Sequence, residues 1–179
     1  MKSHSYRIAP ARANDVSLLP AIELAASRLF VGYATAEWIL AQTTSEESFR
    51  RGQRLGRLWV ALADDVPIGF ALVDVIEPAS AHLDELDVHP DHGRRGLGTR
   101  LVMTVCDWAT RNGYASVTLN TSRDVPWNMP FYARLGFEEV PLEEQTSALR
   151  ALFAAETSRG LDPTQRLVMR RSLISYATG

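Results

Sequence analysis

The sequence predicts a single α/β domain in which a sheet is layered against helices. Three observations carry that reading. Strand-like and helix-like segments alternate along the chain. No repeat, low-complexity stretch or Pro/Gly/Ser-rich linker divides it. A length of 179 residues, 46% of them hydrophobic, suits one ordinary domain with a real core. The domain is expected to span 1–173, with 174–179 as a loose tail.

The elements follow in order. A short strand is expected at Ser5 to Ala9. Asn14 and Asp15 offer N-caps for a helix running to about Phe30, with Leu18, Ile22, Ala25, Ala26 and Leu29 at helical spacing. A second helix is read over Ala36 to Arg51. Leu58 to Leu62 and Ile68 to Ile76 form a hairpin around the turn residues Asp64-Asp65-Val66-Pro67. The fourth strand is placed at Leu83 to His89, before Pro90. Leu97, Leu101, Val105 and Trp108 then share one helical face, and Arg100, Thr104, Asp107 and Arg111 the opposite one, until Gly113. A strand at Ser116 to Asn120, a short helix at Trp127 to Leu135, a strand beginning at Phe137, a helix over Glu143 to Ser158 and a last strand over Arg166 to Leu173 complete the reading. Trp38, Trp59 and Trp108 read as packing residues, and Trp127 as the edge of a groove.

Composition narrows the function. A formal net charge of −2 gives no field for capturing nucleic acid or an anionic membrane. The one cysteine, Cys106, permits no intrachain disulfide or cysteine metal cluster, and reads as a buried small hydrophobe. No run of about 18 apolar residues offers a membrane span, and the opening residues lack the apolar stretch of a signal peptide. The default compartment is a reducing cytoplasm. His89 and His92 are three apart but straddle Pro90 with no third ligand nearby, so no metal is expected.

The most informative segment runs from Leu86 to Leu101. It is a strand, then a turn holding Gly93, Gly96 and Gly98, then the amphipathic helix. A helix start presents unpaired N–H groups and the positive end of its dipole, which together suit a phosphate. The glycines permit close backbone approach and unusual dihedrals, and Arg94 and Arg95 add positive charge. A flexible helix start is the bland alternative. The lysine of a P-loop is absent, and Leu101 stands where a dinucleotide fingerprint needs its third glycine.

Gly93-Arg94-Arg95-Gly96-Leu97-Gly98 resembles the cofactor motif of the GNAT superfamily of N-acetyltransferases, Arg/Gln-x-x-Gly-x-Gly/Ala, except that Gly93 replaces the first residue. Val88-His89-Pro90 resembles that family's V-x-P at the end of the fourth strand. Phe131-Tyr132-Ala133-Arg134-Leu135-Gly136-Phe137 looks like its F-Y-x-x-x-G-F. Residues 57–137 also follow its order of elements. The resemblance implies a mixed, mostly antiparallel sheet splayed between strands four and five, with acetyl-CoA as co-substrate in the gap. Cofactor contacts are then expected from Leu86, Asp87 and Val88, from Gly93, Arg94, Arg95, Gly96, Leu97, Gly98 and Thr99, and from Asn120 and Asn128, although turn or capping roles suit the two asparagines equally. At the first motif position the family's usual contact is through a backbone N–H, so the replacement by Gly93 implies a mild loss, and any side-chain contribution there is missing.

By the same resemblance, Tyr132 protonates the departing thiolate, a task suited to a phenol that is neutral at pH 7. Phe131 and Phe137 read as core. The general base is sought among Asp84, Glu85, Asp87 and His89, with Glu85 preferred. Simple alternation puts Leu83, Glu85 and Asp87 on one face and Asp84, Leu86 and Val88 on the other, but the family's bulge in this strand would break it. The implied reaction is direct attack of a small-molecule or peptide amine on the thioester, with backbone N–H groups around Leu86 to Val88 polarising the carbonyl. A non-catalytic acyl-CoA-binding module, or an enzyme with another acyl donor or acceptor, is the competing reading. A homodimer stays open; no seam is visible.

Overall fold

The computed structural model describes residues 5–34, 36–41 and 43–173, leaving aside the side chains of Ala36 and Trp38. Its centre is a seven-stranded sheet in the order β1-β2-β3-β4-β5-β7-β6. The strands are β1 (Tyr6–Pro10), β2 (Leu58–Ala63), β3 (Val66–Glu77), β4 (Ser80–Val88), β5 (Ser116–Ser122), β6 (Glu138–Glu139) and β7 (Arg166–Ser172). Neighbours are antiparallel except β4 and β5, which run parallel. The helices are α1 (Leu19–Ser27), α2 (Ala36–Ala41), α3 (Glu46–Arg54), α4 (Leu97–Arg111), α5 (Asn128–Arg134) and α6 (Ser147–Ser158).

The β2 run Leu58-Trp59-Val60-Ala61-Leu62-Ala63 is apolar at every position because both faces of the strand are covered. Trp59, Ala61 and Ala63 join the α4 side, where Leu97, Leu101, Val105 and Ala109 pack. Leu58, Val60 and Leu62 join the other side, with Leu19, Ile22, Phe49 and Phe70. A third cluster, Val140, Leu149 and Val168, seats α6. Trp59 and Trp108 pack edge to face at 5.5 Å, and Cys106 is buried, as expected of each. Asp64 and Asp65 turn the β2–β3 hairpin with φ of 47° and 69°, the dihedrals of a primed two-residue turn.

Several local expectations are corrected. The first helix is a short 3-10 turn, then α1, then another 3-10 turn at Arg28–Phe30. Its buried stripe is Leu19, Ile22, Glu23, Ala26 and Ser27, while Leu18 and Leu29 are exposed. Asp15 donates no cap. Its carboxylate is engaged by the Arg12 N–H at 2.8 Å and by the Arg12 guanidinium. The second helix divides into α2 and α3, because the Ser45 hydroxyl caps a new start by accepting from the Ser48 N–H at 3.1 Å. Likewise Thr146 caps α6, so the helix read from Glu143 begins at Ser147. The fourth strand begins three residues early, at Ser80. The tail 174–179 and the side chain of Trp38 lie outside the described residues.

Two irregularities of β4 create the site. Leu72 pairs with Glu85 and Val73 with Leu83, so Asp84 is an extra, bulged residue. Leu83 therefore packs on the α4 side with Leu86 and Val88. Glu85 and Asp87 pair with Leu72 and Phe70, which face the opposite cluster. Unbroken alternation had put Leu83 with the two acids. Pairing of β4 with β5 runs from Ser80↔Ser116 to Leu83↔Leu119 and stops there. Beyond that point the two parallel strands part, where the splay was expected.

Candidate active site

A cavity of about 450 Å³ opens where β4 and β5 part. Its wall brings together Glu85, Leu86, Asp87, Asn120, Asn128 and Tyr132 from three separate elements. Glu23 and Ser27 of α1, Thr44 and Ser45 before α3, Glu156 of α6 and Arg166 of β7 close the rest. Val88 and the loop Gly93 to Thr99 lie outside this wall. Val88 packs on the α4 side; of the loop, Gly93 to Gly96 are exposed and Leu97 is buried in that same core.

That loop has the backbone an anion needs. Arg94 and Gly96 take φ of 57° and 72°, whereas Gly93 is at −63°. The unusual dihedrals thus belong to one arginine and one glycine, not to three glycines. The N–H groups of Arg94, Arg95 and Gly96 find no acceptor among the described residues. The Gly93 N–H is already given to the Pro90 carbonyl at 3.0 Å. Leu97, Gly98 and Thr99 form the first turn of α4 and lack intrahelical acceptors by position. Arg95 lies 5.5 Å from the Tyr6 ring centre, and the Tyr6 hydroxyl and His92 Nδ1 share a hydrogen bond of 3.2 Å. His89 Nδ1 accepts from the Asp91 N–H at 3.3 Å. Among the described residues no group of three His, Cys, Asp or Glu is placed to hold a metal.

The α5 helix links loop and cavity. A Cβ at Gly98 would stand 3.4 Å from Cζ of Phe131, an ordinary van der Waals contact, so the start of α4 lies against this ring. The next residue, Tyr132, lines the cavity. Its ring also packs against the α4-side core, 5.9 Å from the Phe137 ring. Asn128, one turn earlier, lines the same wall.

A Cβ at Gly96 meets no atom within 4 Å, so Gly96→Ala changes the dihedral cost alone. The expected loss is about 1–2 kcal/mol, a fall of roughly 2–8 °C in Tm, with weaker acetyl-CoA binding in a calorimetric titration. Unchanged melting and affinity would deny the loop its backbone role.

Electrostatics single out the acidic wall. Glu85 is pushed well above the ordinary carboxylate range, first by burial and then by Asp87, Glu23 and Asp84, with Arg166 opposing. Burial and Glu23 raise Asp87 in the same way. Asp84 is pushed up to about 6 by burial, Asp74 and Glu156, although its open face to solvent screens it most. Burial and the charges of Glu85 and Asp87 push the Tyr132 phenol above its usual range, so it holds its proton at neutral pH. Among the described residues, Asp87 Oδ2 and both amide atoms of Asn120 are buried without hydrogen-bond partners. Such atoms are rare in folded proteins and call for a ligand or water.

Sequence reading passed over Glu23, Glu156, Arg166 and His82. Glu156 and Arg166 form an ion pair at 3.0 Å that is 11% exposed on each side. His82, which burial lowers to about 4, shares a hydrogen bond of 3.0 Å with Thr118 Oγ1. Glu23 did carry a signal: it is a charge on the buried stripe of α1, four residues after Leu19 and three before Ala26.

A sheet with one parallel pair that parts at its carboxyl end stands beside a helix start whose N–H groups suit an anion, next to an internal cavity. Comparison with known proteins gives this arrangement its family. Residues 23–137 match the acetyltransferase (GNAT) family, and the chain belongs to it. An uncharacterized N-acetyltransferase of Methanocaldococcus jannaschii is 33% identical over 79 residues, covering 41% of this chain and 35% of that protein. Glucosamine 6-phosphate N-acetyltransferase of Trypanosoma brucei brucei is 34% identical over 59 residues, covering 33% of this chain and 38% of that protein. The chain thus spans little more than a third of the length of these curated relatives. The PaiA N-acetyltransferase of Thermoplasma acidophilum, solved with coenzyme A, shares the fold at a TM-score of 0.71 and 18% identity, over 94% of this chain and 99% of that one. Among the described residues no helix is long and apolar enough to cross a membrane.

Proposed function

We propose that this chain transfers an acetyl group from acetyl-CoA to a primary amine of a small acceptor by direct attack. The observation that carries this reading is the meeting of Tyr132, Glu85 and Asp87 in one cavity at the gap between β4 and β5. Acetyl-CoA supplies an activated thioester. The free N–H groups from Arg94 to Gly96, those of Leu97, Gly98 and Thr99, and the charges of Arg94 and Arg95 suit its pyrophosphate. Gly93 contributes shape, since its own N–H closes a turn. The amide of Asn120, without partners among the described residues, and Asn128 on the same cavity wall suit the polar groups of the pantetheine arm.

In the proposed division of labour, N–H groups from Leu86 to Val88 polarise the carbonyl. Glu85, directly or through water, takes the proton of the attacking amine, and its raised basicity suits that task. Tyr132 gives a proton to sulfur. The burial that makes Tyr132 a reluctant acid also disfavours a thiolate, so the two shifts offset each other. A net charge of −2 and a buried cysteine fit a reducing cytoplasm with no nucleic-acid or membrane partner. The test is release of CoA from acetyl-CoA across a broad amine panel. Saturable acetyl-CoA binding without CoA release from any amine would leave a binding module instead.

A further inference from the structure

The cavity at the β4–β5 gap is lined by more acids than bases. Its wall carries the carboxyl groups of Glu23, Asp84, Glu85, Asp87 and Glu156 against the guanidinium groups of Arg159 and Arg166. Arg166 is held by Glu156 in the buried pair, and the Arg159 Nε donates to the Ala155 carbonyl at 3.1 Å on the exposed side of α6. The β4 acids and Glu23 therefore face one another with little compensation. Glu23 is 8% exposed. One of its oxygens, Oε1, accepts from the Thr44 N–H at 2.9 Å and from the Thr44 hydroxyl at 3.1 Å. The other, Oε2, is buried without a partner among the described residues, as is Asp87 Oδ2 on β4. Two orphaned carboxylate oxygens thus lie on separate walls of one cavity, one from α1 and one from β4.

We propose that the acceptor is a small dication, such as an aliphatic diamine. Its reacting amine sits beside Glu85 and Asp87, and its second ammonium group is held by Glu23 Oε2. An ammonium group offers three donors and no acceptor, which matches unpaired carboxylate oxygens. Each orphan atom costs free energy in the empty protein and recovers it on meeting a charged donor. One ammonium leaves the remaining acids repelling across the cavity; a second relieves them. At about 450 Å³ the cavity admits an aliphatic amine of several carbons. This inference rests on the acetyl-transfer reading for its choice of reacting end, while the binding site for the second cation is testable without turnover.

The test is calorimetric titration of the full chain, saturated with CoA, against diaminobutane, butylamine and aminobutyrate. Diaminobutane is expected to bind at least about tenfold tighter than butylamine, the effect of one added charge-assisted hydrogen bond. Aminobutyrate, with a carboxylate in place of the second ammonium, is expected to bind weakest. Glu23→Gln keeps an oxygen for Thr44, so the fold is retained, and it is expected to collapse the preference to within about threefold. Equal affinity for the two amines, a preference that survives in Glu23→Gln, or no amine binding at all would overturn the inference. CoA release measured in parallel separates the two readings. Diamine binding without CoA release removes the enzyme reading and keeps the dication site. Equal turnover of both amines keeps the enzyme reading and removes the dication site.

Discussion

Tyr132→Phe is expected to lower kcat by about 10²–10⁴-fold while leaving the acetyl-CoA dissociation constant within about threefold. The reason is positional. The phenylalanine keeps the ring that packs beside Phe131 and Phe137 against the α4-side core. It removes only the hydroxyl, whose proton is held firmly by burial and by the charges of Glu85 and Asp87. The Gly93 to Thr99 loop keeps its neighbour, because the residue of α5 nearest to Gly98 is Phe131 and not Tyr132. Single-turnover measurement of CoA release, with acetyl-CoA binding followed separately, gives both quantities. If kcat stayed within a few-fold of wild type, the proton would reach sulfur from elsewhere, and Tyr132 would be a packing residue.

The elements legible in sequence were those whose periodicity was enforced on every side. The apolar run of β2, the α4 stripe and the glycine loop each answer to burial or helix geometry over consecutive residues. The site was half legible for the same reason. Loop and tyrosine lie in contiguous motifs, and both belong to α4 and α5, which touch. What stayed hidden depended on distant neighbours. The family resemblance implied a bulge in β4, and the pairing with β3 bears it out, but its position at Asp84, which takes Leu83 off the face of Glu85, is fixed by that register and not by local propensity. The stripe of α1 was read one residue out of phase, since Leu18 and Leu29 are exposed and the buried face contains Glu23 and Ser27. A polar residue on a core stripe breaks the pattern that finds the stripe. It also marks where the core gives way to a cavity.

The same acids carry the second large prediction, which concerns pH and stability together. Glu85 and Asp87 have folded pKa values raised above the ordinary 4.5 and 3.8. A raised carboxyl binds its proton more tightly in the folded state than in the unfolded one. Its contribution to stability is therefore complete below the ordinary value and is lost as pH rises through the folded one. His82 has the opposite sign. Its value is lowered to about 4 from 6.5, so it stabilises above 6.5 and loses that contribution as pH falls toward 4. Wild-type melting curves mix the two, and comparison with Glu85→Gln isolates the acid. The variant is expected to melt higher than wild type at pH 8, by about 1 kcal/mol or roughly 2–4 °C, and to show no advantage at pH 4. In the same variant kcat/KM at pH 8 is expected to fall by about 10²–10⁴-fold, and the wild-type profile to rise through an apparent pKa above the usual carboxylate range. Glu85 and Asp87 titrate as a pair, so that apparent value belongs to both. A stabilised but inactive Glu85→Gln would mean that the cavity holds its acids at a cost to the fold because the reaction uses them. A stabilised and fully active variant would move the base to Asp87 or water, and a variant with neither change would remove Glu85 from the site.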